Sequence, residues 1–449
     1  MELKEFLKIA ANVKPDKPQL ERLRETPFYA FVHFSPNTYT NLEWGDGTED
    51  PAIFNPTELD CEQWVKAIKS AGMKGLILTA KHHDGFCLWQ TKYTEHSMKN
   101  SPYKNGKGDI VKECADACRK HGIKFGFYLS PWDRNSALYG TDEYNDYYVN
   151  QLTELLTNYG EIFHVWFDNA CGEGPNGKKQ VYDFPRYLKT IRKYQPNATF
   201  FNDKGGMRWC GNESGTAAHA QWCVVPYELC SIAEHKTEVE PLMEGSLEGI
   251  RNSDATLGSI SNIMYSKALT FCPAETDMSI RPGWFYHENE EPHSLDRLFN
   301  TYLRTVGGNT TFNLNIPPMP NGKFNEKDVE RLKELGDKIN TELGTNLAED
   351  AELTENKKEN SYQTEFTVKL KEKQPLKYIE LAETIAEGQK VESFKIYSKT
   401  DDGIWNFEEH GTTIGSRKIV ALENVTTDEL KVQITSARDE VKLDWVKVF

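Results

Sequence analysis

No stretch of this sequence reaches the ~18 consecutive apolar residues of a membrane-spanning helix. The N-terminal "MELKEFLKIAANVKPDKPQ" carries Lys and Glu throughout and has no apolar core of an export signal. The chain reads as soluble and, as it stands, cytoplasmic, with a periplasmic or secreted home open to a form that carries a leader. Cysteine is sparse and poorly spaced for structure. Its nine residues, an odd number, all fall between Cys61 and Cys272 and none is spaced as Cys-x-x-Cys, so neither a disulfide framework nor a zinc site is indicated. Positive charge is short as well: 53 basic residues stand against 68 acidic ones, a formal charge of −15. Such a field repels phosphate backbones and anionic lipid, so neither nucleic acid nor membrane is expected as a partner. No GxGxxG or GxxxxGK[ST] follows a strand-like segment, which removes the usual nucleotide cradles, and no cofactor is expected. Nothing in the sequence sets an oligomeric state.

What the chain does have is length and aromatic surface. Its 449 residues suggest one large domain plus a smaller one. Aromatic residues make up 12% of it, with 10 Trp and 20 Tyr, a composition that suits stacking on sugar C–H faces and suits a large core equally.

Strand, polar loop and helix repeat along the first half. "FYAFVHFS" (28–35), "KGLILTAKHHDGF" (74–86), "IKFGFYLSPWD" (123–133), "EIFHVWFDNA" (161–170) and "ATFFNDKG" (198–205) read as buried strands with their exit loops. Between them, 61–72, 108–122, 142–160 and 180–195 read as helices. Near-continuous apolar strands in consecutive βα units imply a parallel sheet covered on both faces. Polar residues gather where each strand ends: His33; Lys81, His82, His83 and Asp84; Asp133; Asp168; Asn202 and Asp203. In a (β/α)8 barrel those ends converge on one mouth, so the barrel is preferred over a doubly wound sheet. Past Gly205 the pattern loosens, with strands again at 220–226, 268–274 and 310–318 and helices at 294–308 and 325–343. The expected architecture is a (β/α)8-like catalytic domain over 1–343, a polar linker over 344–362, and an all-β sandwich over 363–449, where apolar residues alternate at period two.

Within "HVWFDNACGEG" (164–174), Asp168 follows three large apolar side chains at the expected end of the fourth strand. A helix-capping role and a catalytic one are equally open to it. Trp166 should share its face and offer an aromatic wall. A second carboxylate would come from a loop, with Glu173, Glu213, Glu228, Glu275 and Glu288 all available; Glu213, among glycines in "MRWCGNESG", stands out only slightly. A metallohydrolase would want His-x-His on one face, which "HHD" does not supply, so no metal is expected.

"FVHFSPNTYT", "KHHDGFCLW", "FGFYLSPWD", "VWFDNACGEG", "GNESG" and "RPGWFYH", in this order, resemble glycoside hydrolase family 29, the retaining α-L-fucosidases. The resemblance covers most of 20–340 and extends to the C-terminal β module. It implies Asp168 as nucleophile and Glu213 as acid/base, the latter in a segment similar to the branch restricted to α-1,3 and α-1,4 fucosides. It further implies that His33, His82, His83, Tyr128 and Trp166 contact fucose and that Trp284 lies near the C5 methyl group, with a fucosylated oligosaccharide as substrate. Adjacent His82 and His83 would point to opposite faces of a strand, so one is expected to support the site rather than touch the sugar. A catalytically dead glycan-binding relative is the remaining alternative, and the presence of both carboxylates speaks against it.

Overall fold

The computed structural model describes residues 1–202, 205–358 and 362–449. Asp203, read above as a strand-end carboxylate, lies outside the described residues, as do 359–361 of the stretch read as linker. Among the described residues, eight parallel strands form a nearly closed barrel: Phe28–Val32, Gly75–Lys81, Lys124–Leu129, His164–Trp166, Thr199–Asn202, Arg208–Trp209, Ala274–Ser279 and Thr310–Asn315. The first five pair in sequence order, and the eighth joins the first to the seventh. The sixth pairs with the seventh. It meets the fifth through the single parallel bridge Phe201↔Met207, which brings the ring round.

The strands hold because their residues are buried on both faces, against the barrel interior and against helices outside. Those helices start where an acid or hydroxyl can accept from the first turn. Asp60 caps Cys61–Ser70, Asp109 caps Ile110–His121, Asp183 caps Phe184–Tyr194 and Ser294 caps Leu295–Thr305, each accepting a backbone N–H three residues on.

Beyond the fifth strand the reading from sequence needs correction. The segments at 220–226 and 268–274 do not continue the barrel. Val224–Pro226 and Ala268–Phe271 pair antiparallel in a small sheet with Thr237–Glu238, outside the barrel, and pack on the N-terminal helix Leu3–Ala11. The barrel instead takes the two-residue strand at 208–209 and the strand starting at Ala274.

From Glu352 to Val448 six antiparallel strands form a C-terminal sheet, with Glu352–Lys357, inside the stretch read as linker, at one edge and Trp405–Gly411 at the other. Its two longest, Thr364–Glu383 and Lys418–Ala437, pair with register shifts, and both halves of each contribute to one apolar core. This sheet is fastened to the barrel by backbone contacts, among them Ile419 N donating to the Gly307 carbonyl at 2.8 Å, just before the eighth strand.

Candidate active site

At the C-terminal ends of the strands lies a pocket of about 150 Å³. His33 follows the first strand, and His82 and His83 follow the second. Tyr128 and Trp166 belong to the third and fourth strands, and Asp168 stands two residues past Trp166. Glu213 and Trp284 come from loops after the sixth and seventh strands. All eight line this one pocket, together with Phe31, Glu43, Trp44, Ala170 and Asp277. His82 and His83 both reach it, because the strand ends at Lys81 and its face alternation ends there too.

Hydrogen bonds behind the three imidazoles set what each presents to the pocket. His33 Nδ1 lies 2.8 Å from Asn315 Oδ1, and the Asn315 amide N–H groups are taken by Ser279 Oγ and the Trp284 carbonyl. His33 Nδ1 is therefore the donor, which leaves Nε2 as an acceptor. Ser130 Oγ spends its proton on the Trp132 carbonyl at 2.6 Å, so His83 Nδ1, 2.7 Å away, must donate to it, and His83 Nε2 is again an acceptor. Asn37 Nδ2, which donates to the Glu43 carbonyl, faces His82 Nδ1 at 3.5 Å; His82 then carries its proton on Nε2. Burial pushes His33 down to about 3, lowers His82 well below the usual imidazole range, and lowers His83 against the opposing pull of Asp168. Three neutral rings thus offer two acceptors and one donor, a set matched to hydroxyl groups.

Asp168 is partly exposed and accepts from Tyr128 OH at 3.0 Å and from Ala170 N at 2.8 Å. His83 Nε2 stands 3.6 Å from Asp168 Oδ2, too far for a direct hydrogen bond and open to a bridging hydroxyl. Glu213 is exposed and accepts from Trp284 Nε1 at 3.1 Å. The other candidate carboxylates are elsewhere. Glu173 and Glu288 are exposed and outside the pocket, and Glu228 binds Ser266 Oγ and Lys267 N. Glu275 is not on a loop at all: it is wholly buried inside the barrel, accepting from Tyr29 OH and from Trp166 Nε1 at 2.7 Å. Among the described residues no group of three or more His, Cys, Asp or Glu side chains is arranged to hold a metal ion.

The family model described as "Alpha-L-fucosidase" matches residues 21–342. The chain belongs to the alpha-L-fucosidase family. It is 36% identical to alpha-L-fucosidase 1 of Arabidopsis thaliana, over 93% of this chain and 84% of that one. Among solved structures it is similar to a putative alpha-L-fucosidase from Bacteroides ovatus, with a TM-score of 0.90 and 40% identity over 100% of this chain and 76% of that one. It is also similar to a Ruminococcus gnavus GH29 fucosidase in complex with fucose, with a TM-score of 0.84 and 29% identity over 98% and 95% of the two chains. Membership makes the chain a glycoside hydrolase of the α-L-fucosidase type.

Of the five lining residues of this family member not reached as site residues from its sequence, Glu43, Trp44 and Asp277 stand out by their contacts. Glu43 lies in the loop after the first strand and binds Trp284 N, Phe285 N and His287 Nε2 at 2.9, 3.2 and 2.7 Å, so it clamps the loop that carries Trp284. Trp44, next to it, is 58% exposed and stands edge-on to His83 and Trp132 at the rim. Asp277 is buried on the seventh strand and accepts from Trp209 Nε1 at 2.8 Å. Only the "EWG" tripeptide, an aromatic and an acid before a glycine, offered a local sign of the first two.

Proposed function

We propose that the chain is a retaining exo-α-L-fucosidase that removes terminal α-1,3- and α-1,4-linked L-fucose from oligosaccharides or glycoconjugates. The observation that carries this reading is one small pocket in which Asp168 and Glu213, two acids of different exposure, stand with three neutral imidazoles. Fucose is a 6-deoxy sugar, so its recognition needs polar partners for three ring hydroxyls and an apolar wall for the methyl group. The imidazoles of His33, His82 and His83 supply the first. Phe31, with Trp166 and Trp284 each packed against its ring, supplies the second together with them.

Asp168, oriented by Tyr128 and the Ala170 N–H, attacks C1 from within the pocket. Glu213, at the exposed side where the departing sugar leaves, gives its proton to the glycosidic oxygen and later takes one from water. The two inversions at C1 return the α configuration, and the two carboxyls should stand about 5–5.5 Å apart once substrate has assembled the site. The α-1,3/α-1,4 preference is supported by the "GNESG" segment that holds Glu213. Fucose release from 2-, 3-, 4- and 6-linked fucosyl oligosaccharides, followed by NMR of the first-formed anomer, tests both parts. Initial α-fucose from the 3- and 4-linked substrates is expected. Initial β-fucose would make the enzyme inverting, and equal release from the 2- and 6-linked sugars would remove the linkage assignment.

A further inference from the structure

We infer that Asp277 is a third functional carboxyl of this site, a positioning residue that works through Trp209 to hold the segment carrying Glu213 over the pocket. This rests on Glu213 as the acid/base. Glu213 is exposed, with its carboxylate on Trp284 Nε1, so its placement depends on the backbone beneath it. That backbone, residues 208–215, lies along the seventh barrel strand. Arg208 N donates to the Pro273 carbonyl at 2.9 Å, Cys210 N to that of Glu275 at 3.0 Å and Gly215 N to that of Asp277 at 3.1 Å. Residue 277 therefore receives one end of the turn through its carbonyl. It receives the other through its side chain, from Trp209 Nε1 at 2.8 Å.

Gly215 has φ +73°, and a Cβ there would stand 2.7 Å from Met278 Sδ, so glycine is what lets the turn lie this close to the strand. Asp277 is 3% exposed, lines the same pocket as Asp168 and Glu213, and among the described residues has no basic side chain in ion-pair range. Burial pushes its pKa well above the usual carboxylate range; the Trp209 hydrogen bond opposes the rise, and the carboxyls of Glu275, Glu213 and Asp168 add to it.

The test compares an aryl fucoside, whose leaving group hardly needs protonation, with a Lewis-type fucosyl oligosaccharide, whose departing sugar does. Asp277→Ala should lose about 10- to 100-fold in kcat/KM on the oligosaccharide, the scale of one hydrogen bond to a buried group, and under about 3-fold on the aryl fucoside. Asp277→Asn, whose amide oxygen can still accept from Trp209, should recover most of that loss. Trp209→Phe removes the same hydrogen bond from the other side and should reproduce the split; it carries the test if Asp277→Ala does not fold. Equal losses on both substrates, no loss in either variant, or an Asp277→Asn as impaired as Asp277→Ala would each overturn the inference. Glu213→Gln is measured alongside. If it shows the split and the Asp277 and Trp209 variants do not, only this inference falls; if it shows none, the acid/base assignment falls first.

Discussion

Asp84 gives the structure a pH dependence whose size can be worked out. It follows His82 and His83, is wholly buried, and accepts from Phe86 N at 2.7 Å and Ser35 Oγ at 2.8 Å. Burial raises its pKa from 3.8 to about 7, with Glu49 and Asp133 adding to the rise and the two hydrogen bonds opposing it. The folded protein therefore holds a proton that the unfolded chain has released. The stability this confers is complete below pH 3.8 and is lost as pH rises through about 7. A shift of about 3 pH units at ~1.4 kcal/mol each amounts to about 4 kcal/mol across that window. Asp84→Asn keeps the shape of the neutral acid and cannot titrate. In urea unfolding followed at pH 4.5, 6 and 7.5, the stability of the variant relative to wild type should climb by ~1.4 kcal/mol per pH unit at first and level off as pH passes about 7. Parallel curves for the two proteins across this range would refute the reasoning, since they would mean Asp84 has the same pKa folded and unfolded. The turn itself calls for glycine after Asp84: Gly85 has φ +78° and a Cβ there would sit 2.5 Å from Asp133 Oδ1.

Asp168→Asn should lose several orders of magnitude in kcat with the fold intact, and azide should rescue it to give β-fucosyl azide; a variant keeping more than about a tenth of wild-type kcat would remove Asp168 from the nucleophile role. Glu213→Gln should spare the first step on an aryl fucoside far more than on an oligosaccharide, and azide attack on its covalent intermediate should give α-fucosyl azide; uniform loss without rescue would move the acid/base role elsewhere. Activity should survive a chelator, and loss that a divalent ion restores would overturn the assignment of the histidines to sugar hydroxyls.

The first five strands were legible because they obey one rule. Parallel strands covered on both faces read as apolar runs, and "FYAFV", "GLILTAK" and "KFGFYL" are such runs with a polar cluster directly after each. The three histidines of the mouth and Asp168 came with them, since they stand at the ends of those runs. Asp168 was found in this way and Glu213 was not: its strand, Arg208–Trp209, is two residues long and held by its neighbours' backbone rather than by any pattern of its own.

The seventh strand shows why the rest stayed hidden. "AETDMS" alternates, but with the polar residues inward: Glu275 reaches Trp166 and Tyr29 across the barrel interior, and Asp277 lines the pocket above it. A search for buried apolar faces discards such a segment as loop, and so Glu275 was read as a loop acid and Asp277 was not weighed. The inversion has a physical cause. Near the mouth, the inward face of a barrel strand meets the pocket, and deeper down it meets Arg22, which lies 3.5 Å from Glu275 with both side chains buried. At those positions polarity marks the inside of the barrel, and the apolar alternates Ala274 and Met278 are the ones that pack outward.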